Sequence, residues 1–352
     1  MQNLYAKASI MLLVLIARLT FPAAARPDAA DRPGFEVRRV VSVKVESSWR
    51  NLTGKATVQL PGYWLFKSNK LRIKDWLRRG DPITIELGYN KQLVTEFTGY
   101  VTEVKPGIPV TLNCEDEMYR LKRYPVKCSY NGVRLPQLLK DICPPGTQID
   151  ALDTQLGHFK ASNVTVAKVL EKLKELYGFV SYFRDGILYC GKVYRQGTTD
   201  NRKTAFNFQR PGPGAVLDDR LEYRTADDLH VIVQATSHQL KGKDLKVTVG
   251  DTTELDAEQR TLNYFNLASE ADLKATALRD VQKLKVQGYK GSFTSYGLPS
   301  VQHGELVGIS NTEYSERDGD FFIDATAKTF ESGGYRQEIT LGSAASLYGL
   351  EG

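Results

Sequence analysis

The stretch from Gly80 to Val104, GDPITIELGYNKQLVTEFTGYVTEV, alternates apolar and polar residues with a period of two. Ile83, Ile85 and Leu87 share one face while Thr84 and Glu86 share the other, the pattern of a half-buried strand. Pro82 biases Asp81 toward extended backbone. Gly88 to Gln92 reads as a connection, after which Phe97, Gly99 and Val101 resume the alternation as a second strand. Gly99 inside that strand predicts a bulge or a sharp bend. The stretch holds no histidine, no cysteine and no nucleophile beside a base. It predicts a piece of curved wall.

Similar periodicity recurs on both sides of a central segment. Val41, Val43 and Val45 alternate with polar residues, Trp49 and Leu52 cap a turn, and Ala56, Val58 and Leu60 form the next strand. Ile73 to Arg79 predicts a short helix stopped by Gly80. In NCEDEMYRLKR, Asn113 can cap a helix whose electropositive first turn holds Glu115, Asp116 and Glu117. Arg120, Lys122 and Arg123 would sit at its other end, with Met118 and Leu121 inward; the charges need no acid–base pair to explain them. From Thr165 to Tyr177, Val166, Val169, Leu170, Leu173 and Tyr177 make one apolar stripe that Gly178 ends. FVSYFRDGILYCG follows as a hairpin around Asp185-Gly186, and the aromatics Tyr177, Phe179, Tyr182, Phe183 and Tyr189 read as core. A helix is predicted from Ser269 to about Lys285, capped by Ser269 with Asp272, and burying Leu273, Ala277, Val281 and Leu284.

After that helix, GELVGIS and DFFIDATAKTF echo GDPITIEL and EFTGYVTEV as Gly-acid, strand, turn, strand. The match is too loose to establish duplication but raises the idea of two related barrels. The expected class is mainly β with α+β elements. Two β-barrel-like domains, at 37–127 and 205–352 (the second with one helix), are joined by a small helix-plus-hairpin module at 128–204. Residues 1–36 precede them as a leader with a first strand and a loop.

That leader admits two readings. Lys7, the apolar run Ile10 to Ala17, and Ala23-Ala24-Ala25 resemble a signal peptide. The run is too short for a membrane span, which needs about 20 apolar residues, so no stable membrane anchor is expected. Arg18, directly after the run, weighs against cleavage. As a strand, Leu15, Ala17, Leu19 and Phe21 share one face and Ile16, Arg18 and Thr20 the other. The strand is the reading carried forward, followed by a loop from Pro22 to Gly34. Cleavage would instead suit a secreted or periplasmic β-rich binding protein.

At 352 residues, with 41% hydrophobic and 25% charged content, the chain can build its own core. The net charge of +6 is interspersed and forms no nucleic-acid-binding arm. Cys114, Cys128, Cys143 and Cys190 show neither C-x-x-C spacing nor partner histidines, so they read as separate reduced thiols. His158, His230, His238 and His303 lie in no nucleophile or metal motif. The acids of GDTTELDAEQR lack the spacing of a calcium loop, and RGD at 79–81 merely begins a strand at a proline. Asn51-Leu52-Thr53 and Asn163-Val164-Thr165 matter as sequons only in a eukaryotic secretory pathway. No catalytic, cofactor-binding or metal residue is therefore assigned, no cofactor is expected, and the expectation is a non-enzyme.

Taken together, VESSWRNLTGKATVQLP, RRGDPITIELGYN, EFTGYVTEV, NCEDEMYRLK, LKELYGFVSYFRDGILYCG, GYKGSFTSYGLPSVQHGELVGI, YSERDGDFFIDATAKTF and GGYRQEITLG cover most of Val37 to Gly342. In number and order they resemble bacteriophage tail hub proteins of the late-control-D or baseplate-hub family, especially those of Bacteroidetes-type phages and prophages. The resemblance implies two β-barrel tube domains joined by smaller α/β elements. It implies a homotrimer that adapts the symmetry of a tail tube to a spike or tip, beside distal tail and baseplate proteins. DNA would pass through its lumen without specific binding, and the protein would belong to the virion tail after assembly in the host cytoplasm. Two features depart from the pattern: the leader before Leu13 and the Pro-Gly-Pro-Gly at 211–214. No spike or lysozyme-like segment follows in this sequence, so puncturing or wall cleavage is expected of other chains.

Overall fold

The structure is a computed structural model, and it describes residues 13–23, 32–66, 69–72, 76–194, 203–208, 212, 214–225, 229–239, 242–255, 257–265, 267–285, 287–311 and 313–348. The chain begins with β1 (Leu15–Phe21), β2 (Phe35–Val37), β3 (Ser42–Ser48), β4 (Lys55–Leu60), β5 (Tyr63–Phe66), β6 (Asn69–Arg72), β7 (Pro82–Tyr89), β8 (Gln92–Lys105) and β9 (Val110–Glu115). A one-turn helix, α1 (Met118–Leu121), leads into the middle part. There follow β10 (Pro125–Tyr130), β11 (Val133–Arg134), α2 (Leu135–Ile142), β12 (Gln148–Ala151), β13 (Gln155–Leu156), β14 (Phe159–Thr165), α3 (Val166–Tyr177), β15 (Val180–Arg184) and β16 (Ile187–Gly191). The last part holds β17 (Lys203–Asn207), β18 (Val216–Arg224), β19 (Val231–His238), β20 (Leu245–Gly250), β21 (Glu258–Phe265), α4 (Glu270–Leu284), β22 (Gly288–Tyr296), β23 (Leu306–Ser310), β24 (Gly319–Glu331) and β25 (Gly334–Ala344).

The class is mainly β with a few helices, as the periodicity predicts. One sheet of 13 strands dominates, in the order β18-β22-β25-β24-β3-β4-β9-β8-β7-β1-β2, with β23 on β24 and β17 on β23. The two β-rich regions are therefore parts of one sheet. They meet where β24 pairs antiparallel with β3, from Ala325 opposite Ser48 to Phe330 opposite Val43. Among the described residues this sheet is open, with β18 at one end and β2 at the other, and closes into no barrel. The link between the regions is thus a shared ladder as well as the middle module.

Strand β1 forms as its alternation predicts and pairs with β7, Leu15 opposite Tyr89 through Thr20 opposite Thr84. Ala17, Leu19 and Phe21 enter the core with Val43, Val58, Ile85 and Leu112. The β7–β8 hairpin turns tightly on Asn90 and Lys91, both at positive φ, so both strands run further than the glycine at 88 suggests. The register shifts at Ile85/Glu86 within this hairpin and at Val101/Glu103 where β8 pairs with β9, and not at Gly99. Gly99 is required for another reason: a Cβ there would collide with the backbone of Glu115 and Asp116.

Other local signals resolve unevenly. Helix α3 matches its stripe, with Thr165 capping Lys168 N and Gly178 closing it in the left-handed region at φ 71°. The Asp185-Gly186 turn has φ of 50° and 78° and joins β15 to β16 as predicted. Helix α4 is capped by Ser269, which accepts from Asp272 N, and buries Leu273, Ala277 and Val281. The helix expected over 113–123 shrinks to one turn because β9 claims Asn113 and Glu115 for pairing with β4 and β8. Of the helix expected over Ile73–Arg79, Trp76 is helical, Leu77 to Gly80 is not, and 73–75 lie outside the described residues. Val41 precedes β3 and is exposed. The 205–352 region also holds more than one sheet. Strands β20-β19-β21, with β19 and β21 parallel, carry α4 on a separate core.

Candidate functional site

Where β8, β24 and β25 converge, the sequence places charge inside the protein. The side chain of Glu96, on β8, is wholly buried and pairs with Lys328 of β24, whose side chain is 4% exposed. The two residues are 232 positions apart. Tyr335 donates to Glu96 Oε1 at 2.5 Å and Ser300 donates to Oε2 at 3.1 Å, while the Lys328 ammonium also donates to Ser300 Oγ at 2.6 Å. Burial and the neighbouring carboxylate raise the Tyr335 hydroxyl well above the usual phenol range. Gln337 donates to the Tyr296 and Pro299 carbonyls at 3.0 and 2.6 Å and receives Val301 N–H at 3.3 Å. Every polar group in this network has a partner, as a low-dielectric junction requires.

A second knot lies on the bulged part of β24. Asp324, 5% exposed, accepts from Trp49 Nε1 at 2.8 Å and from the Arg50 guanidinium at 2.7 Å. Tyr194, from the end of the middle part, donates to the same carboxylate. Asp324 thus ties three segments: the β3–β4 turn, the middle module and β24. Arg184 at the hairpin tip reaches across to the His303 carbonyl, and Tyr182 meets the His303 ring edge-on at 4.5 Å between centroids. A cleft of about 340 Å³ opens between these parts, lined by Glu96, Asp116, Arg184, His303, Thr326 and Lys328 among others.

The groups a reaction would need are scattered or disarmed. His158 is exposed, between β13 and β14, and His230 is half-buried before β19. His238 is held by Asp244 and Asn263, each at 2.9 Å. His303 is buried, and burial pushes its pKa down to about 3, so it is neutral. Burial pushes the thiols of Cys114 and Cys143 up to about 12 and that of Cys190 up to about 11, leaving them protonated and unreactive. The four cysteines are free thiols, and no cluster able to hold a metal occurs among the described residues. Asp251 of GDTTELDAEQR is engaged by Lys285 at 2.7 Å and by Val231 N–H at 2.9 Å. Asp81 of RGD is buried against Arg32 at 3.4 Å and is not displayed.

Asp116 differs from its acidic neighbours. Its Oδ2 accepts from Gly54 N–H at 2.7 Å and its Oδ1 from Met118 N–H at 2.9 Å, so Asp116, just before the N-cap residue Glu117, satisfies the first amide of α1, a role expected of Asn113. Burial raises its pKa to about 7. Glu117 pairs with Arg120 and Glu115 with Lys122, as partly exposed ion pairs. Sequence reasoning missed Glu96, Lys328, Asp324 and Arg184 because each reads locally as a solvent-facing charge. No helix among the described residues is long and apolar enough to cross a membrane.

No family model matches the chain, and no curated protein does. Solved structures do. A tail protein from Neisseria meningitidis superimposes with a TM-score of 0.62 at 16% identity, over 95% of this chain and 98% of that one. The 43 kDa tail protein of prophage MuSo2 from Shewanella oneidensis gives 0.59 at 13% identity, over 93% and 98%. A type VI secretion component from E. coli, described as similar in structure to bacteriophage tail proteins, gives 0.50 at 10% identity, over 86% and 73%. At such identities the likeness establishes a shared fold.

Proposed function

We propose that this chain is a structural component of a phage-type tail, acting as the hub between tail tube and tip. The observation that carries the reading is the end-to-end likeness to the Neisseria tail protein, which spans nearly all of both chains. Internal features agree. The charged residues at the centre are consumed in holding two stretches of sheet together, His238 is paired, and His303 and the thiols of Cys114, Cys143 and Cys190 are buried.

In this reading the hub is a homotrimer. The regions 37–127 and 205–352 serve as two wall pieces per chain, and the module at 128–204 braces them. Three copies then present six wall pieces to a sixfold tube, and the ring leaves a passage for DNA. Mixed surface charge suits a lumen through which phosphates move without being gripped. A spike or tip protein and distal tail or baseplate proteins are the remaining partners. The protein is assembled in the host cytoplasm and resides in the virion, it turns over no substrate, and a late-control-D-like phage or prophage of Bacteroidetes type is its source. The rival, a secreted binding protein with a cleaved leader, loses support from β1. Cleavage near Ala25 would strip Leu19 and Phe21 out of the core.

Electron microscopy of purified tails carrying a tagged chain tests the reading. Three copies at the tube–tip junction are expected. A chain absent from the tail, or present as a ring of six, overturns it.

A further inference from the structure

The main sheet ends in two bare edges, and they complement each other. At one end, β18 bonds β22 along one side; its other side is met at the start by β17, through the parallel bridge of Asn207 with Ala215, and from Leu217 to Arg224 nothing among the described residues pairs with it. At the other end, β2 covers β1 from Leu19 to Phe21, leaving the Leu15 to Arg18 edge of β1 unbonded among the described residues. Long open edges invite another strand unless they are blunted. Neither edge carries a proline within its strand.

Their charges are opposite. On β18, Asp218 and Asp219 are exposed and make no ion pair with described residues. Beside the other edge, Arg38 and Arg39 are exposed where the chain leaves β2. Among the described residues Arg38 pairs with Glu36 alone, at 3.3 Å, and Arg39 pairs with no acid. Arg220 on β18 and Glu36 on β2 add a second exposed pair of opposite sign. Uncovered apolar surface lies at both edges too: Leu217 on β18, and Leu13 and Val14 just before β1.

Direction agrees as well. From β18 to β1 the path takes nine steps, all antiparallel, so β18 and β1 point in opposite senses. A second copy rotated about an axis along the strands would therefore bring its β18 antiparallel to β1, extending the ladder over the Leu15 to Arg18 stretch that β2 leaves bare. In that arrangement the beginning of β18, with Asp218 and Asp219, lies beside the Arg18 end of the bare edge. That is where Arg38 and Arg39 stand. We infer that the subunit contact is this strand addition: β18 of one copy on the β1 edge of the next, with Asp218 and Asp219 against Arg38 and Arg39. Each copy uses both edges once, a head-to-tail contact that closes into a ring.

The inference rests on the proposed ring, and the test separates the two. The full-length chain is compared with Asp218→Lys/Asp219→Lys, with Arg38→Glu/Arg39→Glu, and with all four substitutions together, by analytical ultracentrifugation and native mass spectrometry. All four positions are exposed, and circular dichroism with unfolding curves verifies that each variant folds. Each double variant is expected to weaken assembly at least tenfold, and the fourfold variant to regain it. An oligomer indifferent to the reversals, or a fourfold variant that stays dissociated, overturns the strand addition and leaves the hub reading standing. Reversals that spare the oligomer but weaken capture of a different tail chain assign the edge to that chain and overturn the inference. A wild-type chain that remains monomeric at every concentration overturns both.

Discussion

Glu96 sits in a strand whose local pattern calls for a solvated side chain, yet its carboxylate is fully buried beside Lys328. Two opposite charges inside a protein gain little net stability over apolar residues, but removing one strands the other. Lys328→Met alone is expected to lower unfolding free energy by about 3–5 kcal/mol. Adding Glu96→Gln, which keeps hydrogen bonds to Tyr335 and Ser300 without the charge, should recover part of that loss in guanidinium titrations. A second residue-scale prediction concerns Asp116. Its pKa is raised from 3.8 to about 7, so between those values the folded chain holds a proton that the unfolded chain has released. Stability from this group is therefore greatest at acid pH and falls as pH rises from about 4 to 7, by up to about 1.4 kcal/mol per pH unit. Asp116→Asn should flatten that slope. An unchanged slope across the same window would show that the carboxyl ionises in the folded state as freely as in water.

At the scale of elements, β1 separates the two readings of the leader. Leu19 is fully buried and Phe21 packs on Phe35 at 4.9 Å between ring centroids. Leu19→Ala should cost about 2–5 kcal/mol. Deleting residues 1–10 should leave thermal unfolding unchanged, whereas deleting 1–21 should lower it markedly by baring β7. Equal behaviour of the two truncations would remove β1 from the account. This strand was legible in the sequence because its signal is local: four apolar residues on one face. The same holds for α3, α4 and the Asp185-Gly186 turn, whose caps and left-handed residues lie within a few positions of one another. What stayed hidden depends on distant partners. Asn113 reads as a cap until β4 and β8 claim it on either side. The parallel pairing of Val231–His238 with Glu258–Phe265 leaves no trace in either strand's own period. For the candidate site, the buried state of Glu96, Lys328 and Asp324 is set by segments brought together from more than 200 positions apart.

For the molecule as a whole, the consequential contact is the ladder between β3 and β24. Sequence periodicity suggests two walls, each able to fold for itself. The sheet instead runs from one into the other, and the first core takes Phe330 and Tyr335 from the far region. Tyr89 donates to the Tyr335 carbonyl and receives its N–H at 3.1 Å, while Glu96 and Lys328 bury opposite charges on opposite sides of the join. Separating the regions would expose Val43 and Val45, open one edge of β3, and leave Glu96 without its counter-ion. Each of those costs acts at the same interface, so partial opening there is costly. The two regions are therefore expected to unfold in one transition, with tryptophan fluorescence and far-ultraviolet circular dichroism tracing the same curve. A fragment ending at residue 127 should be unfolded or aggregated, because its β3 edge and the apolar face beneath Phe330 have nothing to cover them. The inserted unit of β19, β20, β21 and α4 has its own core of Val233, Ala235, Leu273 and Ala277. Hydrogen exchange should show it opening separately, at lower free energy than the main sheet. Two resolved transitions for 37–127 and 205–352, or a well-folded 1–127 fragment, would mean that the ladder merely abuts two independent walls.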